Sequence, residues 1–231
     1  MTRGIFIAGN ETALGRAVEA EAEKRVERYA VASIPNRYSG ASKNPSLNNE
    51  KRIMLDWNPS SPISARALVL AAENRLNYIN EAVLVCSPPS VRSSASGLPL
   101  ADIEIMANEY IKGWFFLVRE LAAVFSGRKS GILALVYPAI ENMSTGMKDD
   151  SADILGPSSL AAFRALAHGL LAAAHNEPYI TVGFSCAEVN AEEAFAAFIF
   201  KHLDEAPAAG KSGNKRSNGR LFKYGKFNLF K

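Results

Sequence analysis

Short, unbroken apolar runs alternate along this chain with longer stretches in which apolar side chains return at helical spacing. GIFIAG (4–9), YAVASIP (29–35), RIMLDW (52–57), AVLVCS (82–87), GILALVYP (131–138) and YITVGFSC (179–186) are runs of the first kind. Their continuous apolar character predicts strands buried on both faces. Residues 13–28, 63–79, 101–126, 158–175 and 191–204 are of the second kind and predict helices. RLFKYG (220–225) predicts a last strand at a sheet edge. The alternation predicts an α/β fold in three layers, a parallel sheet with helices on both faces. Right-handed crossovers make such a sheet doubly wound. The polar stretches 36–50, 87–98 and 206–219 read as linkers, and none separates two cores. We therefore expect one domain over residues 1–208, followed by a basic segment, 209–231, that holds the edge strand.

The chain has 231 residues, 48% hydrophobic and 21% charged, which is enough to bury a sizeable core. No run approaches the ~18 apolar residues of a membrane span. The apolar run at the N-terminus is too short for a secretion signal, so a cytoplasmic location is expected. Cys86 and Cys186 each end an apolar run. On strands separated by one other they would sit roughly 10 Å apart, too far for a disulfide. Two free thiols suit a reducing compartment, and two cysteines with three scattered histidines do not make a metal site. The net charge of +3 is uneven, since residues 211–231 hold seven Lys or Arg and no acid. The rest carries 19 basic and 23 acidic side chains, a net of −4. The basic end reads as a solvated tail or as a contact for an acidic partner; nucleic acid is not expected.

The first strand-to-helix turn, IFIAGNETALGRAV, carries the first chemical signal. A phosphate needs backbone N–H groups at a helix N-terminus and small residues that let the backbone come close. Gly9 allows the tight turn, Gly15 allows close helix packing, and Ala13 adds a methyl where glycine would leave space. Here the chain resembles the short-chain dehydrogenases/reductases, in order and spacing, from residue 4 to about 204. Gly9, Ala13 and Gly15 match the family's Gly-x-x-x-Gly-x-Gly with the middle glycine changed, and Leu14 lies within the motif. Leu55-Asp56-Trp57 stands where the family has an Asp that meets the adenine amino group. VLVCSPP (83–89) stands in place of Asn-Asn-Ala-Gly, and YIKGWFFLVREL (110–121) resembles the fourth helix. The resemblance implies a Rossmann-like fold and an NADP or NAD cofactor with Asp56 and Trp57 flanking the adenine. It also makes Arg37 a candidate for a 2′-phosphate contact, which a solvated loop arginine would equally explain.

The family's hydride transfer uses a tyrosine whose pKa a lysine lowers, a serine that orients the carbonyl, and an asparagine that supports a water. On the stretch ILGPSSLAAFRALA (154–167), the resemblance puts Gly156 in the tyrosine place and Leu160 in the lysine place. Pro138 falls at or beside the serine place and Tyr110 in the asparagine place. None of the first three can exchange a proton. Tyr137, Tyr110 and Ser144 are the hydroxyls near the expected mouth, and no lysine occurs between 149 and 200. A neutral tyrosine, with a pKa near ~10, is a poor acid–base catalyst without a cation beside it. Only Ala187–Asn190 separate the sixth strand from the last helix, where the family inserts a lid. The expected function is that of a catalytically silent relative with a vestigial dinucleotide pocket, acting through protein contacts. The resemblance implies a homo-oligomer through helices 101–126 and 158–175. The alternative is an NAD(P)-dependent oxidoreductase with a rearranged acid, Tyr137 or Tyr110; a third reading is a nucleic-acid or acidic-partner binder through 211–231.

Overall fold

The computed structural model describes residues 3–34, 51–139, 152–205 and 217–225, and in it every apolar run becomes a strand. The strands are β1 (Ile5–Ala8), β2 (Tyr29–Ser33), β3 (Arg52–Asp56), β4 (Glu81–Val85), β5 (Arg92–Ser93), β6 (Ile132–Pro138), β7 (Ala152–Asp153), β8 (Ile180–Cys186) and β9 (Arg220–Tyr224). The helices are α1 (Ala13–Glu23), α2 (Pro62–Leu76), α3 (Leu100–Ala107), α4 (Gly113–Arg128), α5 (Leu155–Ala173) and α6 (Glu192–Glu205).

Seven strands form one sheet in the order β3-β2-β1-β4-β6-β8-β9, every neighbouring pair parallel. The inner strands β1, β2, β4, β6 and β8 bury both faces, because side chains alternate across the sheet, whereas β3 and β9 at the two edges stay partly exposed. Ile5 and Ile7 face α1 and α6, packing with Leu14, Val18, Phe195 and Ile199. Phe6 and Ala8 face the opposite layer, where Leu68, Leu117, Phe125 and Phe163 from α2, α4 and α5 cover the sheet. The expected three-layer, doubly wound architecture is the one observed. β9, in the C-terminal segment, takes the sheet edge beside β8, as the sequence pattern predicts.

The stretch 101–126 departs from one regular helix. A π-helical turn, Asn108–Lys112, joins α3 to α4, and within it Tyr110 is buried. A π-turn takes one residue more than an α-turn and so re-aims side chains, and such turns concentrate at functional positions. A two-stranded antiparallel ribbon, β5 with β7, ties the segment after β4 to the start of α5. Cys86 and Cys186 are buried and free, and β6 separates their strands. No helix among the described residues is long and apolar enough to cross a membrane.

Candidate functional site

Strand order reverses between β1 and β4, and in open parallel sheets ligands bind beyond the carboxyl ends of the strands at such a point. The turn after β1 lies there. Gly9 adopts φ +91°, and a Cβ on it would sit 1.9 Å from the Val85 carbonyl oxygen, so only glycine fits. Thr12 caps α1: its hydroxyl accepts from the Gly15 N–H at 3.0 Å and donates to the Gly9 carbonyl at 3.2 Å. A Cβ on Gly15 would lie 1.9 Å from the Gly9 carbonyl oxygen, which shows how closely helix and turn approach. Ala13 is exposed at the first position of α1, whereas Leu14 is buried in the core under the helix. The Asn10 amide donates to Glu19 at 3.2 Å, and Glu19 is ion-paired with Arg52, so the turn is moored to β3.

Beyond this turn the cleft divides in two. The outer chamber has a volume of about 530 Å³, within the range of small-molecule sites. Ile34 at the end of β2, Asp56 and Trp57 at the end of β3, and Asn58-Pro59-Ser60 form one side. Ser64 of α2, Glu104 and Ile105 of α3, and Asn108 and Glu109 of the π-turn form the other. The structure thus brings Asp56 and Trp57 together on one wall.

The inner chamber is nearly closed, with about 20 Å³ open between Gly9, Glu11, Thr12, Ile34, Trp57, Val85, Glu109, Tyr110 and Trp114. That is room for about one water. Gly113 explains part of the closure: a Cβ there would lie 2.9 Å from Pro59 and 3.1 Å from the Trp57 ring, so its absence lets Trp57 settle against α4. Four carboxylates line the two chambers, Glu11, Asp56, Glu104 and Glu109, and among the described residues no Lys, Arg or His does. Arg37 lies outside the described residues, as do Ser144, Lys148 and most of the basic tail.

The first turns of α5 are closely packed. Gly156 is buried, and its N–H donates to Asp153 Oδ1 at 3.0 Å. A Cβ at Gly156 would meet Asp153 Oδ2 at 2.7 Å and the Pro89 carbonyl at 3.1 Å. Leu160, one turn on, is fully buried in the core. Pro138 ends β6 opposite Cys186. Tyr137 and Tyr110 are buried as well. The ring of Phe163 lies edge-on to Trp114 at 5.2 Å and to Tyr137 at 6.1 Å, the tilted arrangement that aromatic quadrupoles favour.

Burial pushes the Tyr137 phenol above its ordinary range, with Arg164 opposing only in part. The Cys86 thiol is driven far up by complete burial. Burial also raises the Cys186 thiol, whose Sγ–H donates to the Glu188 carbonyl at 3.3 Å. Tyr137 Oη, Trp114 Nε1 and Asp153 Oδ2 are buried without a hydrogen-bond partner among the described residues. The described residues contain no cluster of metal ligands.

No family model matches this sequence, and no curated protein matches it. Solved structures do. Serine dehydrogenase from Escherichia coli superposes with a TM-score of 0.70 at 12% identity, covering 95% of this chain and 96% of that one. The NADH-dependent reductase A1-R′ complexed with NAD gives a TM-score of 0.68 at 11% identity, covering 96% and 94%. ElxO with NADP bound gives 0.68 at 14% identity, covering 96% and 97%. The chain has the short-chain dehydrogenase/reductase fold. At these identities the likeness carries the fold, and this chain's own residues must decide the ligand.

Tested against a dinucleotide, this member of the short-chain dehydrogenase/reductase fold is half suited. Gly9 and Gly15 keep the backbone close, and the outer chamber offers an aromatic wall with a carboxylate beside it. The inner chamber itself admits no ring, because Trp57, Tyr110 and Trp114 reduce it to about 20 Å³. Glu11 and Glu109 line the small chamber beside that turn. Neither glutamate was singled out by the pattern reading, although a carboxylate two residues after Gly9 was visible in it. Trp114 and Asp153 were invisible as site residues, because they reach the cleft only through tertiary packing.

Proposed function

We propose that this protein is a non-catalytic version of the short-chain dehydrogenase/reductase fold that acts through molecular contacts. The observation that carries the reading is the filling of the α5 end of the cleft. Asp153 and Pro89 occupy the space a side chain at Gly156 would need, and Leu160, Tyr137, Phe163 and Trp114 pack the remainder. Hydride transfer requires a group that can give or take a proton beside the reacting carbonyl. Leucine and glycine offer none, and a phenol raised by burial holds its proton. The test is turnover of NADH and NADPH with a panel of ketones, aldehydes and α-keto acids. The expected rate is that of the blank, and cofactor-dependent turnover abolished by Tyr137→Phe or Tyr110→Phe would establish the oxidoreductase reading instead.

The contacts proposed are with a second copy through the outer faces of α4 and α5. Phe115 is half exposed on α4, and a Cβ at Gly127 or Gly169 would meet nothing within 4 Å, so both helices present open small-residue surface. Light scattering of the wild type and Phe115→Glu measures this, and the variant is expected to run as the monomer. The two free thiols suit a reducing compartment, and we place the protein in the cytoplasm. The basic tail, of which Arg220 and Lys223 lie on β9, is a candidate contact for an acidic partner.

A further inference from the structure

We infer that the open edge of β3 pairs with β3 of a second copy, antiparallel and centred on Met54. This contact is separate from the α4 and α5 faces, and it stands whether or not those faces associate.

β3 is the last strand on its side of the sheet, with β2 as its one neighbour. The register to β2 is parallel and unbroken from Arg52 to Asp56. At its two ends the Tyr29 N–H donates to the Lys51 carbonyl, and the Trp57 N–H to the Ser33 carbonyl, both at 2.9 Å. Main-chain groups alternate in direction along a strand, so Ile53 and Leu55 also turn theirs to β2. Arg52, Met54 and Asp56 therefore turn theirs outward, where no strand lies among the described residues. Proteins blunt such an edge with proline, lysine or a bulge, because it templates pairing. β3 carries none of them, and Met54 at its centre is 51% exposed.

The residues of β3 select the guest. RIMLD reads as a cation, three apolar residues and an anion. Two-fold antiparallel pairing about Met54 sets Arg52 of each copy opposite Asp56 of the other, and the two Met54 opposite each other. These outward-turned residues form the pairs that exchange N–H···O bonds, and opposite charges across them stabilise the ladder. Asp56 is exposed and has no ion pair among the described residues. Arg52 holds Glu19 through Nε and Nη2 and turns Nη1 to Met54 Sδ at 3.2 Å, so donors remain for a second carboxylate. Parallel pairing in register would set Arg52 against Arg52 and Asp56 against Asp56. A slip by two residues would set Asp56 against Met54. Both forfeit the complementarity, which is how one register is chosen over others. The contact is isologous, the kind that closes on two copies.

A ladder of five residues is a small contact, so pairing is expected at about 0.1 mM and above. The experiment uses the full chain bearing Phe115→Glu, which blocks the α4–α5 contact. Sedimentation equilibrium is run from about 10 µM to about 1 mM, with amide exchange at both ends of the range. Monomers should become dimers, and the amides of Arg52, Met54 and Asp56 should gain protection as concentration rises. Met54→Pro removes an outward N–H and none that β2 uses, so it should keep the fold and abolish pairing. Asp56→Arg sets like charges opposite each other and should weaken pairing about tenfold or more. Monomers throughout the range overturn the inference. So does a dimer that survives both substitutions, or one without protection at these three amides. Failure of the α4–α5 reading shows separately, as a wild type no larger than the Phe115→Glu variant in dilute solution.

Discussion

The two ends of the cleft are built from the same strand termini and have been finished in opposite ways. At the outer end Asp56 is exposed, and polar side chains face about 530 Å³ of open space. At the α5 end Trp114, Tyr137, Phe163 and Leu160 are buried in one core cluster, and the chamber beside it, between Gly9, Trp57, Tyr110 and Trp114, keeps about 20 Å³. The contrast teaches which demands on this fold are separable. Gly9 and Gly15 serve the backbone geometry of the sheet and α1 whatever lies in the cleft. The positions that would face a reacting carbon serve chemistry alone, so on the non-catalytic reading proposed above they are free to become core. Packing then replaces polar groups that are costly to bury with apolar contacts that stabilise.

The strongest way to break this contrast is to try to restore the chemistry. Gly156→Tyr with Leu160→Lys is expected to destabilise the protein by about 5 kcal/mol or more, through an overpacked site at Asp153 and Pro89 and a buried, unpaired ammonium. Urea denaturation measures the loss, and no reductase activity should appear. A folded, active double variant would mean that the inner end is loose rather than filled.

A paired truncation sharpens the comparison. Phe163→Ala at the inner end is expected to cost about 3–5 kcal/mol, the range for deleting a fully buried aromatic ring. Ile105→Ala on the outer wall is expected to cost under about 1 kcal/mol, since that side chain is only half buried and its site is already open. Equal losses would remove the distinction. Gly9→Ala belongs to both ends and should cost about 2–3 kcal/mol, because φ +91° and the Val85 carbonyl 1.9 Å from the added Cβ both oppose it.

These contrasts also mark what the sequence could and could not tell. Six strands were legible because each is a largely apolar run, although β3 proved to be a partly exposed edge strand, and the turn at Gly9 was legible because two glycines bracket a helix start. The wall at Asp56-Trp57 was legible as a strand end. The π-turn at Asn108–Lys112 was not, since NEYIK has the composition of ordinary helix and only tertiary packing selects the wider turn. Nor was the ribbon of β5 with β7. Its strands are two residues long, Arg92–Ser93 and Ala152–Asp153, too short to show any alternation, and they come from loops about sixty residues apart. That ribbon sets Asp153 beside Gly156, so the filling of the inner end depended on a contact that no local pattern encodes.

The smallest effect expected is at Tyr137, and its sign carries the argument. The phenol oxygen is buried with no partner among the described residues. A buried hydroxyl without a hydrogen bond costs free energy, so Tyr137→Phe should stabilise by about 0.5–1 kcal/mol at pH 7. The pH dependence follows from the direction of the shift. Burial raises the folded-state pKa above the ordinary value of 10.0. Below that value the phenol is neutral in both folded and unfolded chains, so the stabilising contribution of its titration is fully present. As pH rises above it, the unfolded chain ionises first, and the contribution is lost up to the raised folded-state pKa. The phenylalanine variant lacks this loss. Its stability advantage should therefore be constant from pH 6 to 9 and widen above pH 10, measured by urea denaturation at each pH. A destabilised variant at pH 7 would mean that the hydroxyl has a partner, and the inner end would then have to be read as a wet, functional pocket rather than as core.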